Sequence, residues 1–530
     1  MRVVQPENAI KREELIGQLA DTKIIWDVLV IGGGATGLGV ALDAVARGYK
    51  TLLIEQSDFA KGTSSRSTKL VHGGVRYLAQ GDVRLVREAS IERGLLRRNA
   101  PHLVKNQTFI IPIYTYWDMV KYTIGLKMYD WISGRLTLGP SVFISRQKTL
   151  DSLPGVRTKG LKGGVLYHDG QFDDSRLAIN LVQSIVENGG CAINYVKVID
   201  LIKGTDKKIA GAVLKDVESG VQYSINARAV VNATGVFVDD ILHMDNPASA
   251  KSICVSQGVH LVLDKKFYPS SHALMIPETS DGRVLFAVPW HGKVVVGTTD
   301  TPVEEASLEP RALEKEINFI LETASGYLTH KPERKDVLSV FAGLRPLAAP
   351  QGGEQKTKEI SRSHKIMVSP SNLFTILGGK WTTYRKMGED MMDRVEKELQ
   401  WEHQKTVTAQ MHIHGYAEKV NWSDPLYFYG SDAEKIKQQM NGSTGQWISD
   451  SLKIHKTQVR WAVAHEMART VEDVLSRRTR TLLLDASESI RIAPEVAQIM
   501  VAELGKNDQW AKDQVQEYTR LAREYILKQN

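Results

Sequence analysis

The stretch TSSRSTKLVHGGVRYL, residues 63–78, brings hydroxyls together with the basic side chains of Arg66, Lys69, His72 and Arg76. That mixture suits a phosphorylated ligand, because hydroxyls donate to phosphate oxygens and cations neutralise them. Thr63, Ser64 and Ser67 open the stretch, Lys69 and His72 follow, and Gly73 and Gly74 let backbone lie flat against a planar group. The apolar Leu70, Val71, Val75 and Leu78 predict a partly buried segment, not a solvated basic loop.

Such a segment needs a scaffold, and the residues before it supply one. WDVLVIGGG is apolar from Val28 to Ile31 and reads as a buried parallel strand. Gly32, Gly34 and Gly37 complete a G-x-G-x-x-G turn with Thr36 inside it; LGVALDAVARGYK has helical periodicity, and TLLIEQ is a second strand ending in Glu55. The glycines permit a tight turn and close approach to a pyrophosphate, and the helix N-terminus offers N–H groups to its oxygens. Glu55, 18 residues past Gly37, stands where an acid accepts from ribose hydroxyls. No arginine directly follows it, which argues against a 2′-phosphate and so against NADP. The turn alone does not separate NAD from FAD, but a chain that keeps FAD packs more backbone against it, as 63–78 is placed to do.

The bulk properties narrow the setting. The chain has 530 residues, 42% hydrophobic and 24% charged, enough for several domains. Its net charge of +7 permits an anionic partner, although no zinc-ligand cluster, RNA-binding signature or basic-aromatic repeat points to nucleic acid. Neither a membrane-crossing apolar run nor a secretory leader is apparent. Cys191 and Cys254 are the two cysteines; both are expected as small buried residues in a reducing, cytoplasmic setting, and no metal site is expected.

DVLVIGGGATGLGVALDAVARG, GTSSRSTKLVHGGVRYL and GGKWTTYRKM together resemble the FAD-dependent glycerol-3-phosphate dehydrogenases, within the D-amino-acid-oxidase-like flavoproteins. The resemblance runs from about Asp27 to Lys386 and more weakly beyond. It implies oxidation of sn-glycerol 3-phosphate at C2 by hydride transfer to FAD. It places Arg345, Lys380 and His260 at the reacting alcohol, with Arg76, Tyr77, Arg345, Arg362 and Lys380 holding the substrate. His260 is the expected proton acceptor on pKa grounds, while the family's patterns also set Arg345 or Lys380 at the alcohol. RAVVNATG, with Gly235, is similar to the family's segment that passes near the dinucleotide, but Val236 and Phe237 stand where Pro-Trp is usual. Gly378 and Gly379 precede a helix start whose N–H groups would face the flavin, with Lys380, Thr382 and Thr383 beside it.

The expected fold is α/β. A Rossmann-type FAD-binding unit comes from segments near 21–100, 160–250 and 365–395. An antiparallel-sheet substrate domain comes from segments near 101–159 and 251–364. An α-helical C-terminal domain spans 401–530, and residues 1–20 form an N-terminal extension. VQYSINARAVVNATG is expected as a strand pair, and RVLFAVPWHGKVVVGTTDTP as two strands joined at His291-Gly292. HEMAR, 465–469, begins like a zinc-protease helix but has Arg469 where the second ligand belongs, so it is expected to be ordinary helix.

Residues 115–136 mix Trp117, Tyr122, Tyr129 and Trp131 with Lys121, Lys127 and Arg135, a combination that suits a bilayer interface. The expectation is a peripheral enzyme on the inner face of the cytoplasmic membrane that passes electrons to quinone. A glycerophosphate oxidase using oxygen and a related amine or amino-acid oxidase are the alternatives, and homodimerisation is left open.

Overall fold

The computed structural model describes residues 10–74, 82–134, 138–280, 282–349, 363–440 and 447–528. Two large sheets face each other across a cavity, and each is built from separated parts of the chain.

The first sheet has a parallel centre. Its strands run in the order Leu373–Leu377, Gln222–Asn232, Ile25–Ile31, Thr51–Ile54 and Cys191–Ile193. The apolar runs VLVI and TLLI are buried because helices cover both faces of a parallel sheet. Helix Ala35–Ala46 connects the first two of these strands in the sequence, and helix Tyr384–Leu399 packs against it. That contact is close: side chains at Gly39 or Gly388 would strike the opposite backbone. Hairpin Val196–Lys203/Ile209–Asp216 extends the sheet beside the first half of Gln222–Asn232. The segment expected as a strand pair is therefore one long strand, whose hairpin partner comes from earlier in the chain.

The second sheet is antiparallel except for one parallel pair, Ala273–Ile276 beside Val104–Ile113. Strands Leu285–Trp290 and Lys293–Gly297 turn at His291 and Gly292, both at positive φ. Strand Gly163–Phe172, from the 160–250 segment assigned to the nucleotide unit, pairs with Val104–Ile113 in this second sheet. Strand Ile253–Asp264 pairs along its length with Val337–Ala348.

Past residue 400 the chain first returns to the nucleotide unit. Ile413, Leu426, Phe428 and Tyr429 bury into the same core as Val28–Ile31. Helices Lys456–His465, Ala486–Leu504 and Asp508–Arg523 then pack onto the second sheet, sharing a core with its Val262, Trp290, Val295 and Phe341, with a short ribbon of Trp447–Ser449 against Ile454–His455. HEMAR straddles the end of a helix: His465 closes it, and buried Glu466 pairs with Arg176 at 2.7 Å. Helix Arg12–Ala20 lies within the extension, and it is packed rather than detached. Leu15 and Leu19 join the core, and Arg12 pairs with Asp216 at 2.7 Å. Cys191 is buried, whereas Cys254 is half-buried because it lies near the outer end of its strand.

Candidate active site

A cavity of about 640 Å³ lies between the sheets. The Gly-rich turn forms one end. Gly32 has φ +112°, and a Cβ there would fall 2.6 Å from the Ala233 carbonyl oxygen; a Cβ on Gly37 would run into the Gly32 carbonyl. Gly37 thus brings the helix against the strand without itself lining the cavity, while Gly32, Gly34 and Thr36 line it. Helix Ala35–Ala46 starts at Gly34 with no side-chain cap, and the Ser64 hydroxyl accepts the Ala35 N–H at 2.9 Å. Glu55 accepts the Gly33 N–H at 2.7 Å and the Ser57 N–H at 2.9 Å; burial nonetheless pushes its carboxyl above the usual range.

The second sheet supplies the opposite wall by register. Alternate strand residues share a face, and Ser256, Gly258 and His260 stand opposite Arg345, Gly343 and Phe341. Gly258, His260, Gly343 and Arg345 line the cavity. Arg345 crosses over Gly258, where any side chain would collide with its guanidinium, and Gly297 leaves room for the His260 ring in the same way. Arg345 donates to the Thr299 carbonyl at 3.0 Å and to Thr298 Oγ1 at 3.3 Å, with Asp300 at 3.4 Å. His260 Nε2 is 2.9 Å from Thr68 Oγ1, and its Nδ1 is buried with no hydrogen-bond partner among the described residues. Burial, then the charges of Arg345 and Lys69, hold the His260 pKa well below the ordinary imidazole value.

The third wall is the turn after strand Leu373–Leu377. Gly378 and Gly379 have φ +70° and +88°, and Lys380 leads into turn Trp381–Thr383 and the helix beyond. Gly378, Gly379, Lys380 and Thr382 line the cavity, as does Gly235. The Trp381 indole donates to the Ser64 carbonyl at 2.8 Å and so ties this turn to the hydroxyl-rich stretch.

Within that stretch Thr63, Ser64, Ser67, His72 and Gly74 line the cavity. Two residues expected at the cofactor do not. Lys69 is fully buried, with its amine on Asp174 and the Ser65 carbonyl, each within 2.8 Å. Gly73 packs against the Tyr129 and Ser90 hydroxyls. Lys69 serves the fold of the loop, because a buried cation requires a carboxylate and the carboxylate lies behind the loop, while Gly73 leaves room for the two hydroxyls. The Ser67 hydroxyl is likewise given to Asp174, at 2.7 Å. Arg76, Tyr77 and Arg362 lie outside the described residues. Thr68, Thr298 and Asp300 were missed by the sequence reading; Thr68 stands within the 63–78 stretch itself, and the run GTTDTP carried the signal for the other two.

These residues fit FAD. The turn has closely approached backbone, a helix start whose own N-cap residue offers no side chain, and a half-buried acid beside it, and the cavity continues from there to the cationic wall. A dinucleotide turn on a parallel sheet, opposed by an antiparallel sheet bearing His260 and Arg345, defines an FAD-dependent oxidoreductase. The FAD-dependent oxidoreductase family model matches residues 27–383, and the model for the C-terminal domain of alpha-glycerophosphate oxidase matches 374–512. A probable mitochondrial glycerol-3-phosphate dehydrogenase of Caenorhabditis elegans is 38% identical over 94% of this chain and 73% of its own length. The mitochondrial glycerol-3-phosphate dehydrogenase of Homo sapiens is 36% identical over 93% of this chain and 72% of its own. The glycerol-3-phosphate dehydrogenase of Bacillus halodurans, solved with FAD, superposes with a TM-score of 0.79 at 30% identity, covering 99% of each chain. This chain belongs to the FAD-dependent glycerol-3-phosphate dehydrogenase family, and FAD is its cofactor.

Proposed function

We propose that the chain oxidises sn-glycerol 3-phosphate to dihydroxyacetone phosphate and delivers the electrons to membrane quinone. The observation that carries the reading is the shared wall of Arg345 and His260, one cationic and one held neutral, facing the cavity that takes FAD. FAD, when bound, accepts the hydride from C2.

The side chains do the rest. Held at Nε2 by the Thr68 hydroxyl, His260 presents a neutral imidazole that takes the hydroxyl proton. Arg345, oriented by Thr298, Thr299 and Asp300, bonds the substrate's oxygens and opposes negative charge as the proton leaves. Lys380 adds a second cation; by the family resemblance, Arg76 and Arg362 hold the phosphate, with Tyr77 at the substrate. The sheets enclose the site, so these charges act with little screening.

Quinone as acceptor is supported by the surface of helix Tyr116–Ser133. Trp117, Val120, Ile124, Met128 and Trp131 recur at three- and four-residue intervals and are all exposed, beside exposed Lys121 and Lys127. No helix among the described residues is long and apolar enough to cross a membrane. An apolar stripe flanked by lysines suits a helix lying in an anionic bilayer surface, here the inner face of the cytoplasmic membrane. A second reading, oxygen as acceptor, is favoured by the C-terminal match to alpha-glycerophosphate oxidase, and peroxide release during turnover distinguishes it.

The deciding experiment is anaerobic titration of the yellow holoenzyme with glycerol 3-phosphate. Bleaching of the flavin band is expected; an FAD-loaded protein that stays yellow would sink the substrate assignment.

A further inference from the structure

The loop that follows Glu55 is held from two sides. On its inner side the Ala60 N–H donates to the Gly33 carbonyl at 3.0 Å, with Ala60 at φ 60°, and Phe59 packs so close that a Cβ on Gly33 would lie 2.7 Å from its ring. On its outer side stands the C-terminal domain. Asp58 is fully buried and accepts from Arg477 Nε, from Arg478 at 2.6 and 2.9 Å, and from Asn194 at 3.1 Å. Both arginines belong to the π-helical turn Asp473–Arg478. Arg477 also reaches Glu472 at 2.9 Å and Asp473 at 2.7 Å, and Glu472 receives the Lys61 amine at 2.7 Å. Ala60, Lys61 and Gly62 line the FAD cavity.

The electrostatics show how firmly the parts are joined. Burial works against each carboxylate, yet Arg478 and Arg477 hold Asp58 well below its usual range, and Arg477 with Lys61 pulls Glu472 down to about 2. A buried ionic network gains little stability over an apolar contact of equal size, but it tolerates few alternative alignments. Here the alignment it fixes is that of four consecutive residues, 58–61, against the Gly-rich turn. Among the described residues, none of the network's side chains hydrogen-bonds to His260 or Arg345.

We propose that the C-terminal helical domain is a cofactor-retention element, in which Arg477 and Arg478 position Asp58, and Glu472 positions Lys61, so that loop 58–61 keeps the shape that forms the FAD cavity. FAD binding and docking of the C-terminal domain are then linked, and the linkage is reciprocal. The proposal rests on FAD as cofactor and is independent of substrate and acceptor.

Two measurements test it. The first uses wild-type protein with and without FAD. Hydrogen exchange across residues 471–484 is expected to speed at least about tenfold on FAD removal, while helix Glu314–Tyr327, remote from the network, keeps its rate. The second is the FAD dissociation constant of the near-isosteric Glu472→Gln and of Arg477→Met, expected to rise at least about tenfold, with Arg477→Lys recovering part of the loss. KM for glycerol 3-phosphate at saturating FAD should not move in Glu472→Gln, which separates this idea from any failure of the substrate assignment. Equal exchange at 471–484 in both forms, or wild-type FAD affinity in Glu472→Gln, overturns the proposal.

Discussion

The imidazole of His260 lies nearly parallel to the ring of Phe341, with centroids 4.9 Å apart and planes 18° from each other. The stack seals one face of the imidazole from water, and the Thr68 hydroxyl occupies Nε2. Both contacts orient the ring, and burial keeps it neutral. Replacement by asparagine is expected to lower kcat by about 10²–10⁴-fold, the usual span for a positioned proton acceptor, with FAD still bound. The pH–rate profile supplies the check: because the folded pKa is depressed, the wild-type acid limb from this group should fall well below pH 6.5. A limb at 6.5 that persists in the asparagine variant would remove His260 from the reaction.

Arg345 stands beside it on the paired strand. Each hydrogen bond to a charged group is worth roughly 1.5–3 kcal/mol, and about 1.4 kcal/mol is one decade in rate. Truncation to alanine should therefore lower kcat/KM for glycerol 3-phosphate at least about tenfold, with normal FAD content. A rise in KM alone assigns Arg345 to phosphate anchoring; an equal fall in kcat and kcat/KM places it at the C2 alcohol. Wild-type values for both constants would make it a structural arginine.

The sequence was readable where chemistry depends on short-range spacing. Gly32, Gly34, Gly37 and Glu55 lie within one strand–helix–strand unit, so their spacing alone announced a dinucleotide turn, in which Gly32, Gly34 and Glu55 line the cavity and Gly37 packs the helix on the strand. Lys69 shows the opposite case. Its position among cavity residues looked ligand-directed, yet its partner Asp174 is 105 residues away, and nothing local to either residue announces the pair. Thr68 with His260 and Asp58 with Arg478 are hidden for the same reason, being 192 and 420 residues apart. Long-range pairing decides which cations of a basic loop face the ligand and which are consumed in holding the loop.

His414 gives the protein a stabilising charge with a defined pH window. It lies between Asp432 at 2.7 Å and Glu187 at 2.5 Å. Burial opposes its charge, but the two carboxylates outweigh that and raise its pKa to about 9. A histidine raised in the folded state contributes fully below the unfolded value near 6.5 and loses the contribution as pH rises through about 9. Two and a half units correspond to about 3 kcal/mol before solvent screening is counted. His414→Gln should therefore lower Tm clearly at pH 6 and by much less at pH 9.5. An equal loss at both pH values would show that the charge is not what stabilises.

The apolar face of helix Tyr116–Ser133 carries the last prediction. Trp117 is 75% exposed and Trp131 is 84% exposed, while Leu126 and Tyr129 on the other side are buried. Tyr129 accepts from Arg93 at 2.8 Å and donates to Asp169 at 3.1 Å, so the helix is anchored and its outward face is fixed. Tryptophan partitions into the headgroup boundary, and neighbouring lysines gain roughly 1 kcal/mol each near an anionic surface. Trp117→Ala/Trp131→Ala should leave dye reduction by glycerol 3-phosphate at its wild-type rate, because neither residue lines the cavity. Sedimentation with anionic vesicles should fall at least about tenfold. Lys121→Gln/Lys127→Gln should weaken binding at low salt and leave a salt-resistant remainder, since salt screens charges and does not expel buried tryptophan. If the wild-type protein stays in the supernatant with anionic vesicles at low salt, this face does not dock on membranes, and electron transfer to quinone loses its structural support.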